Sequence, residues 1–266
     1  FCLYIISNAK CYPAIAFENL KKYLKNKGNV LLLSGPVFNQ FLVECQGKWL
    51  DQTILKDLLV KNETQNTIFD FENTPDVNNW PRMSYSPQFS SEITVTDGGV
   101  DGSKCLKMFI SNIQGWDLYK IPDGKIVFNQ DQDVLTFWAK GDKATSSLAI
   151  EIREHDYSRW FATVELTENW KKYVVIPADF KFWHHDSPKN RGFDGDSLKF
   201  QNISTIQIGL TLTHTRIPKG QHVVYLDNIG TMSSPFKIEK FASHQEIAPI
   251  ETLIPNYKGY AIENFD

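Results

Sequence analysis

The chain has 266 residues, of which 42% are apolar, with 28 basic and 31 acidic side chains and a formal net charge of -3. That apolar share supports folded cores, and the balanced charge leaves no basic footprint of the kind that nucleic acid or an anionic membrane surface requires. No stretch approaches the roughly 20 apolar residues that span a bilayer, so neither nucleic acid nor a membrane span is expected. The 7 Trp, 10 Tyr and 18 Phe suit cores and binding platforms equally, so position decides their role.

The first segment, residues 1–60, reads as strand, helix, strand. Leu3, Tyr4, Ile5 and Ile6 form a short apolar run, and Pro13 sits where a first-turn proline is tolerated. Phe17, Leu20, Tyr23 and Leu24 then recur at helical spacing, and Gly28 is expected to close the helix. Val30 to Leu33 is apolar on both faces, as in a parallel strand covered on each side. Such a unit cannot bury its own sheet, so it reads as a partial doubly wound α/β (βαβ) segment whose earlier strands are absent.

Cys2, Cys11, Cys45 and Cys105 form no CxxC pair, which removes the usual zinc and redox signatures. They read as buried thiols, a Cys2–Cys11 disulfide being the lesser alternative. Cys11 follows the first strand, where a nucleophile could sit, but it lacks flanking glycines and no His precedes residue 155 to serve as its base.

Residues 61–67 are polar and read as a linker. From 68 to 232 strands arrive every 8 to 15 residues with turns at Asp97-Gly98-Gly99 and Lys140-Gly141-Asp142, the pattern of an antiparallel sandwich. The strands are expected at Ile68–Glu72, Glu92–Thr96, Cys105–Ile110, Val134–Ala139, Leu148–Arg153, Trp160–Leu166, Lys172–Ile176, Thr205–Thr213 and His222–Asp227. Residues 233–266, with Pro235, Pro249 and Pro255, read as an extended tail or a linker toward a further domain. The fold class expected is therefore mainly β, an antiparallel jelly-roll sandwich preceded by the partial α/β segment.

Several segments of the β region, taken in order, resemble one known group. Phe69-Asp70-Phe71-Glu72 with Trp80 matches an opening acidic strand, and Gly102-Ser103-Lys104-Cys105-Leu106-Lys107 a small-residue turn entering the next strand. Leu135 to Asp142 matches a central strand and turn. Glu168-Asn169-Trp170-Lys171-Lys172 with Ile176-Pro177-Ala178-Asp179-Phe180 matches a passage of Trp, strand, Pro and Phe, and Leu226-Asp227-Asn228-Ile229 a closing strand. Together they resemble the galactose-binding-like, β-sandwich carbohydrate-binding modules that accompany bacterial glycoside hydrolases. The first segment resembles, more generically, the last βαβ unit of glutamine-amidotransferase-like domains in polysaccharide-processing proteins. The resemblance implies a polysaccharide or oligosaccharide partner, other domains in the same polypeptide, and a secreted, periplasmic or cell-surface setting. It also implies a structural calcium ion held by Glu72 and Asp227, strands that neighbour each other in such sandwiches, with the Asp97 to Gly102 loop and its Asp101 adding ligands.

Strand parity separates two faces. Ile150, Ile152, Trp160, Ala162, Val164, Leu166, Ile206, Ile208, Leu210 and Leu212 belong to the core. Glu151, Arg153, Phe161, Thr163, Glu165, Gln207, Gly209, Thr211 and Thr213 face away from it. Carboxylate, guanidinium, amide and hydroxyl groups on one face can meet sugar hydroxyls, which donate and accept, and Gly209 would leave room for a ring. Tyr157, Trp183, and Trp116 or Tyr85, read as loop or strand-end aromatics able to stack on a pyranose. An ordinary solvated face, with Trp116 as core filler, is the alternative.

His184-His185-Asp186 invites a metal reading, but adjacent His side chains diverge and no third ligand is spaced nearby. The loop around them is longer and more aromatic than a minimal module needs. Glycoside hydrolysis needs two carboxyl groups facing across a cleft, for which Glu151 and Glu165 are the candidates. A lyase would need a Tyr or His base clustered with Arg, which no single strand supplies. The expected function is therefore non-catalytic polysaccharide binding, with an architectural spacer, a glycoside hydrolase and a polysaccharide lyase as alternatives.

Overall fold

The computed structural model describes residues 3–6, 11–32, 40–45, 48–61, 65–72, 77–126, 128, 132–193 and 196–234. The Cys2–Cys11 pairing and the tail beyond Ser234 lie outside the described residues. Contacts divide the chain between Leu55 and Lys56 into two compact units.

In the first unit, β1 (Leu3–Ile6) runs parallel to β3 (Asn29–Leu32), with β2 (Cys11–Pro13) and helix α1 (Ala14–Lys25) between them in sequence. Then β4 (Gln40–Cys45) pairs parallel with β2 and antiparallel with β5 (Lys48–Asp51), and α2 (Gln52–Val60) crosses the boundary between the units. Leu20 and Leu24 are buried, as their helical spacing requires. The left-handed residue that ends α1 is Lys27 rather than Gly28 (φ 63°). Gly28 is needed for another reason: a Cβ there would stand 2.2 Å from the Tyr23 ring.

The second unit is a mainly antiparallel β-sandwich. Its strands are β6 (Asn66–Phe69), β7 (Arg82–Ser84), β8 (Ser91–Asp97), β9 (Lys104–Ile113), β10 (Trp116–Lys120) and β11 (Val134–Gly141). They continue with β12 (Ser147–Glu154), β13 (Arg159–Glu165), β14 (Lys171–Val175), β15 (Lys181–Trp183), β16 (Ile203–Thr211) and β17 (Gly220–Met232). The front sheet has the order β15-β13-β12-β16-β10-β7, and the back sheet β14-β11-β17-β9-β8 with β6 also pairing β17. Among the described residues no helix is long and apolar enough to cross a membrane.

Alternation builds the core. Leu148, Ile150 and Ile152 of β12, Trp160 and Ala162 of β13, and Ile206, Ile208 and Leu210 of β16 point inward. They meet Leu106, Met108, Leu135, Phe137, Val224 and Leu226 of the back sheet. Burying one such aliphatic side chain stabilises by about 1.5 to 3 kcal/mol. In this unit three strands were not foreseen, β7, β10 and β15, all of the front sheet and all five residues or shorter; in the first unit β2, β4 and β5 were not foreseen either.

The long loop after β15 is fastened by one guanidinium. Arg191 donates from Nε to Asp196 Oδ2 at 2.8 Å, from Nη2 to Glu154 Oε2 at 2.8 Å, and from Nη1 to Ser158 Oγ at 3.0 Å and to Asp156 Oδ2. The Glu154 carboxylate is almost fully buried and also accepts Trp160 Nε1–H at 2.7 Å. The loop is thereby tied to the β12–β13 hairpin. Burial pushes Asp196 up, but the hydrogen bonds from Arg191 and Gly192 outweigh it and hold the carboxyl below its ordinary value. At Asp156, burial is likewise outweighed by Ser158 and Arg191.

Arg191→Ala should lower the unfolding free energy by about 3 to 5 kcal/mol, because it strands the buried Glu154 charge; urea denaturation at neutral pH measures this. The depressed Asp156 and Asp196 contribute stability that is complete above about pH 4 and is lost as the pH falls through their folded values. The wild type should therefore lose stability below about pH 4, and this acid loss should be shallower in Arg191→Ala.

Candidate functional site

The front sheet has one face on the core and one turned away, and its register sets the outward side chains in rows. Trp183, Arg159, Arg153 and Thr205 form the first row across β15, β13, β12 and β16. Lys181, Phe161, Glu151, Gln207 and Lys120 form the second, which extends onto β10. Thr163, Ala149, Gly209, Leu118 and Met83 form the third. Trp116 stands opposite Thr211 beyond that.

The first two rows hold an ion cluster. Arg159 grips Glu151 with both ends of its fork, Nε to Oε1 at 2.9 Å and Nη2 to Oε2 at 3.0 Å, the bidentate arrangement that gives charge-assisted bonds their strength. Arg153 Nε reaches the same Oε1 at 3.3 Å. The three groups are only partly exposed, so their charges are less screened than those of a fully solvated pair.

Beside them lies an aromatic group. The His214 ring stacks on Phe161, with centroids 3.5 Å apart and planes 17° apart, and meets Trp183 edge-on at 4.7 Å. Burial pushes the His214 imidazole below its ordinary value; Glu151 opposes this, while Arg159 and Lys181 add to the lowering. Ser187 fixes the edge of this group, its hydroxyl donating to the Trp183 carbonyl at 2.6 Å and accepting the Arg159 N–H at 3.0 Å.

Of the residues expected from sequence, Glu151, Arg153, Gln207 and Trp183 come together in these two rows. Tyr157 is highly exposed at the tip of the β12–β13 hairpin, with φ 69°. Trp116 shares the face at its far corner, beside Tyr85, whose N–H donates to the Trp116 carbonyl at 2.9 Å. Gly209 serves a different purpose from the one expected: a Cβ there would stand 2.3 Å from the Asp117 carbonyl of β10, so it permits close strand approach rather than space for a ring. Arg159 and His214 were missed. Arg159 was available by parity, two residues before Phe161; His214 lies in the turn after β16, where parity gives no guidance. A cavity of about 520 Å³ opens at the Thr205 end, lined mainly by Ile121, Ile126, Phe128, Phe200, Ile203 and Ile206 with the exposed His155 and Gln201.

On the back sheet, Asp227 is fully buried. Its Oδ2 accepts Val100 N–H at 2.9 Å and the Ser103 hydroxyl at 3.1 Å, and its Oδ1 accepts Asn228 N–H at 2.7 Å. Glu72 Oε1 accepts Lys104 N–H at 2.7 Å. Burial pushes the Asp227 carboxyl up; the three donors oppose this, and the Glu72 charge adds to it. A cation would relieve both causes, and Asp227 has no basic partner among the described residues. Asp101, in a left-handed conformation, makes no bond to either carboxylate. Among the described residues no three His, Cys, Asp or Glu side chains are arranged to hold a metal, so a cation here would draw its remaining ligands from turn carbonyls. Cys105 behind the cluster is a buried free thiol, pushed up to about 11 by burial first and by the Asp227 charge second.

His184 and His185 do not converge. His184 packs edge-on to Phe182, while His185 pairs with Asp186 at 3.3 Å in the open.

No family model matches the sequence, and no curated protein matches it. Among solved structures the chain is similar to a family 11 carbohydrate-binding module from Clostridium thermocellum in complex with a β-1,3-1,4-mixed-linked tetrasaccharide. The identity is 17%, covering 64% of this chain and 96% of that one, with a TM-score of 0.46. It is also similar to the xylan-binding domain CBM22-1 of Paenibacillus barcinonensis Xyn10C, at 11% identity over 65% of this chain and 97% of that one (TM-score 0.39). A third likeness, at 14% identity and TM-score 0.44, covers 66% of this chain and 26% of an exo-β-agarase.

Proposed function

We propose that the outward face of the front sheet binds polysaccharide without cleaving it. The observation that carries this reading is the adjacency, on two successive rows, of the Phe161, His214 and Trp183 rings with the Glu151, Arg153 and Arg159 cluster and Gln207. Rings offer a surface to the apolar face of a sugar, and fixed donors and acceptors beside them meet its hydroxyls. Glu151 and Arg159 hold each other in place, which lowers the ordering cost of binding.

The hydrolase alternative is weakened by register. Glu165 pairs with Ser147, four residues before Glu151, which sets the two Cα atoms about 14 Å apart. Catalytic carboxyl pairs lie within about 5 to 10 Å. Both oxygens of Glu151 are also taken by Arg159, which suits a ligand clamp better than proton transfer. A polysaccharide-binding role fits a secreted, periplasmic or cell-surface polypeptide with further domains.

A calcium ion is part of the same proposal: Glu72 and Asp227 would hold it, with carbonyls of the 97–103 turn, and its charge would offset the repulsion between the two carboxylates.

Trp183→Ala should weaken retention in affinity electrophoresis through a polysaccharide gel by about tenfold without a large change in melting temperature; unchanged retention on every polymer that slows the wild type removes the face from the site. For the ion, a chelator should lower the melting temperature and calcium restore it, since a ligand of the native state alone stabilises by mass action. Glu72→Gln should abolish that difference. A melting temperature indifferent to chelator removes the calcium assignment.

A further inference from the structure

Two guanidinium groups share one carboxylate on the binding face. Arg153 and Arg159 stand directly opposite each other on β12 and β13, a position where like charges are destabilising. Glu151 is the acid between them, and Arg159 occupies both of its oxygens. Arg159 is also used at its third corner, where Nη1 donates to the His185 carbonyl at 3.1 Å. Arg153 is not used in this way. It donates only Nε, at 3.3 Å, and among the described residues its two Nη groups bond nothing.

Lys181 adds to the imbalance. It is exposed on the second row, opposite Phe161, forms no ion pair among the described residues, and is close enough to lower the His214 imidazole. Lys120, by contrast, is paired with Asp123 at 2.8 Å. Three cations thus face one anion, with the solvated Asp186 4.0 Å from Arg159 as the remaining acid nearby. This local excess of positive charge sits on a chain whose net charge is -3.

We propose that the ligand of this face is an acidic polysaccharide, a uronate-bearing chain whose carboxylate docks on the Nη groups of Arg153. The proposal rests on the carbohydrate reading above and names its substrate class. A planar guanidinium matches a carboxylate bidentately, and a second carboxylate beside Glu151 would give each arginine its own anion. A neutral sugar could use Thr205 but would leave the Arg153–Arg159 repulsion in place; Gln207 is buried. Lys181 lies two strands and two residues from Arg153, about 12 Å away, so it meets a carboxylate on a different residue of the same polymer.

The test compares polygalacturonate with the same backbone fully methyl-esterified, which removes the charge and keeps the sugar. Isothermal titration uses the whole chain, without added calcium, at low salt and at about 0.3 M salt. At low salt the acid form should bind at least about tenfold more tightly than the ester, and salt should shrink the difference. Arg153→Gln and Lys181→Gln should each bring the two polymers closer in affinity, Arg153→Lys less so, with melting temperatures as the folding control. Equal binding of acid and ester, or an acid preference that is undiminished in Arg153→Gln, overturns the proposal. If neutral polymers still bind and Trp183→Ala abolishes that binding, the carbohydrate reading stands without the charge preference. Failure to bind polygalacturonate, its ester, and neutral glucan, xylan and galactan alike removes the carbohydrate reading, and this proposal with it.

Discussion

Everything on the front sheet depends on the antiparallel register of β12 between β13 and β16. Pairing Ile150 with Ala162 on one side and with Ile208 on the other turns Leu148, Ile150 and Ile152 onto the core, where none is exposed. The same pairing turns Glu151 and Arg153 away from it. A slip of one residue would exchange the two sets, burying a carboxylate and a guanidinium while exposing three aliphatic side chains. The hydrophobic core therefore fixes the polar face, which needs no separate device to assemble it.

A second constraint steadies the outer edge. β15 is only three residues long, too short to hold Trp183 by ladder bonds alone. Ser187 ties the Trp183 carbonyl to the Arg159 backbone, and a few residues later Arg191 anchors the loop to Glu154, Asp156 and Asp196. A buried charge network of this kind is costly to break, and here it lies behind the edge that presents the aromatic group. The loop that looked too long for a minimal module is thus a brace, and its His184 and His185 are passengers on it.

The sequence made the sandwich legible where strands were long and alternating. All ten residues assigned to the core by parity lie in it or pack against it, and Glu151, Arg153 and Gln207 fall on the opposite face. It was less informative where structure depends on partners distant in sequence. β10 and β15 themselves were missed because five or three residues show too little periodicity, although Trp116 and Trp183, read as loop or strand-end residues, do stand at strand ends. His214 joins the site only because the turn after β16 folds back over Phe161. The purpose of Gly209 depends on a neighbouring strand that the sequence did not reveal. The Glu72 and Asp227 pair was suggested only through resemblance; Asp227 is a buried acid that has no basic partner among the described residues.

The proposed contact of carbohydrate with the outward face of the front sheet can be located directly. Amide chemical shifts followed by NMR during titration with an oligosaccharide locate the contact without a substitution. Binding on that face should confine the shifts to residues 151–163, 181–187 and 205–214, with little change on β9, β11 and β17. Shifts concentrated on those back-sheet strands, or none at saturating sugar, would contradict it.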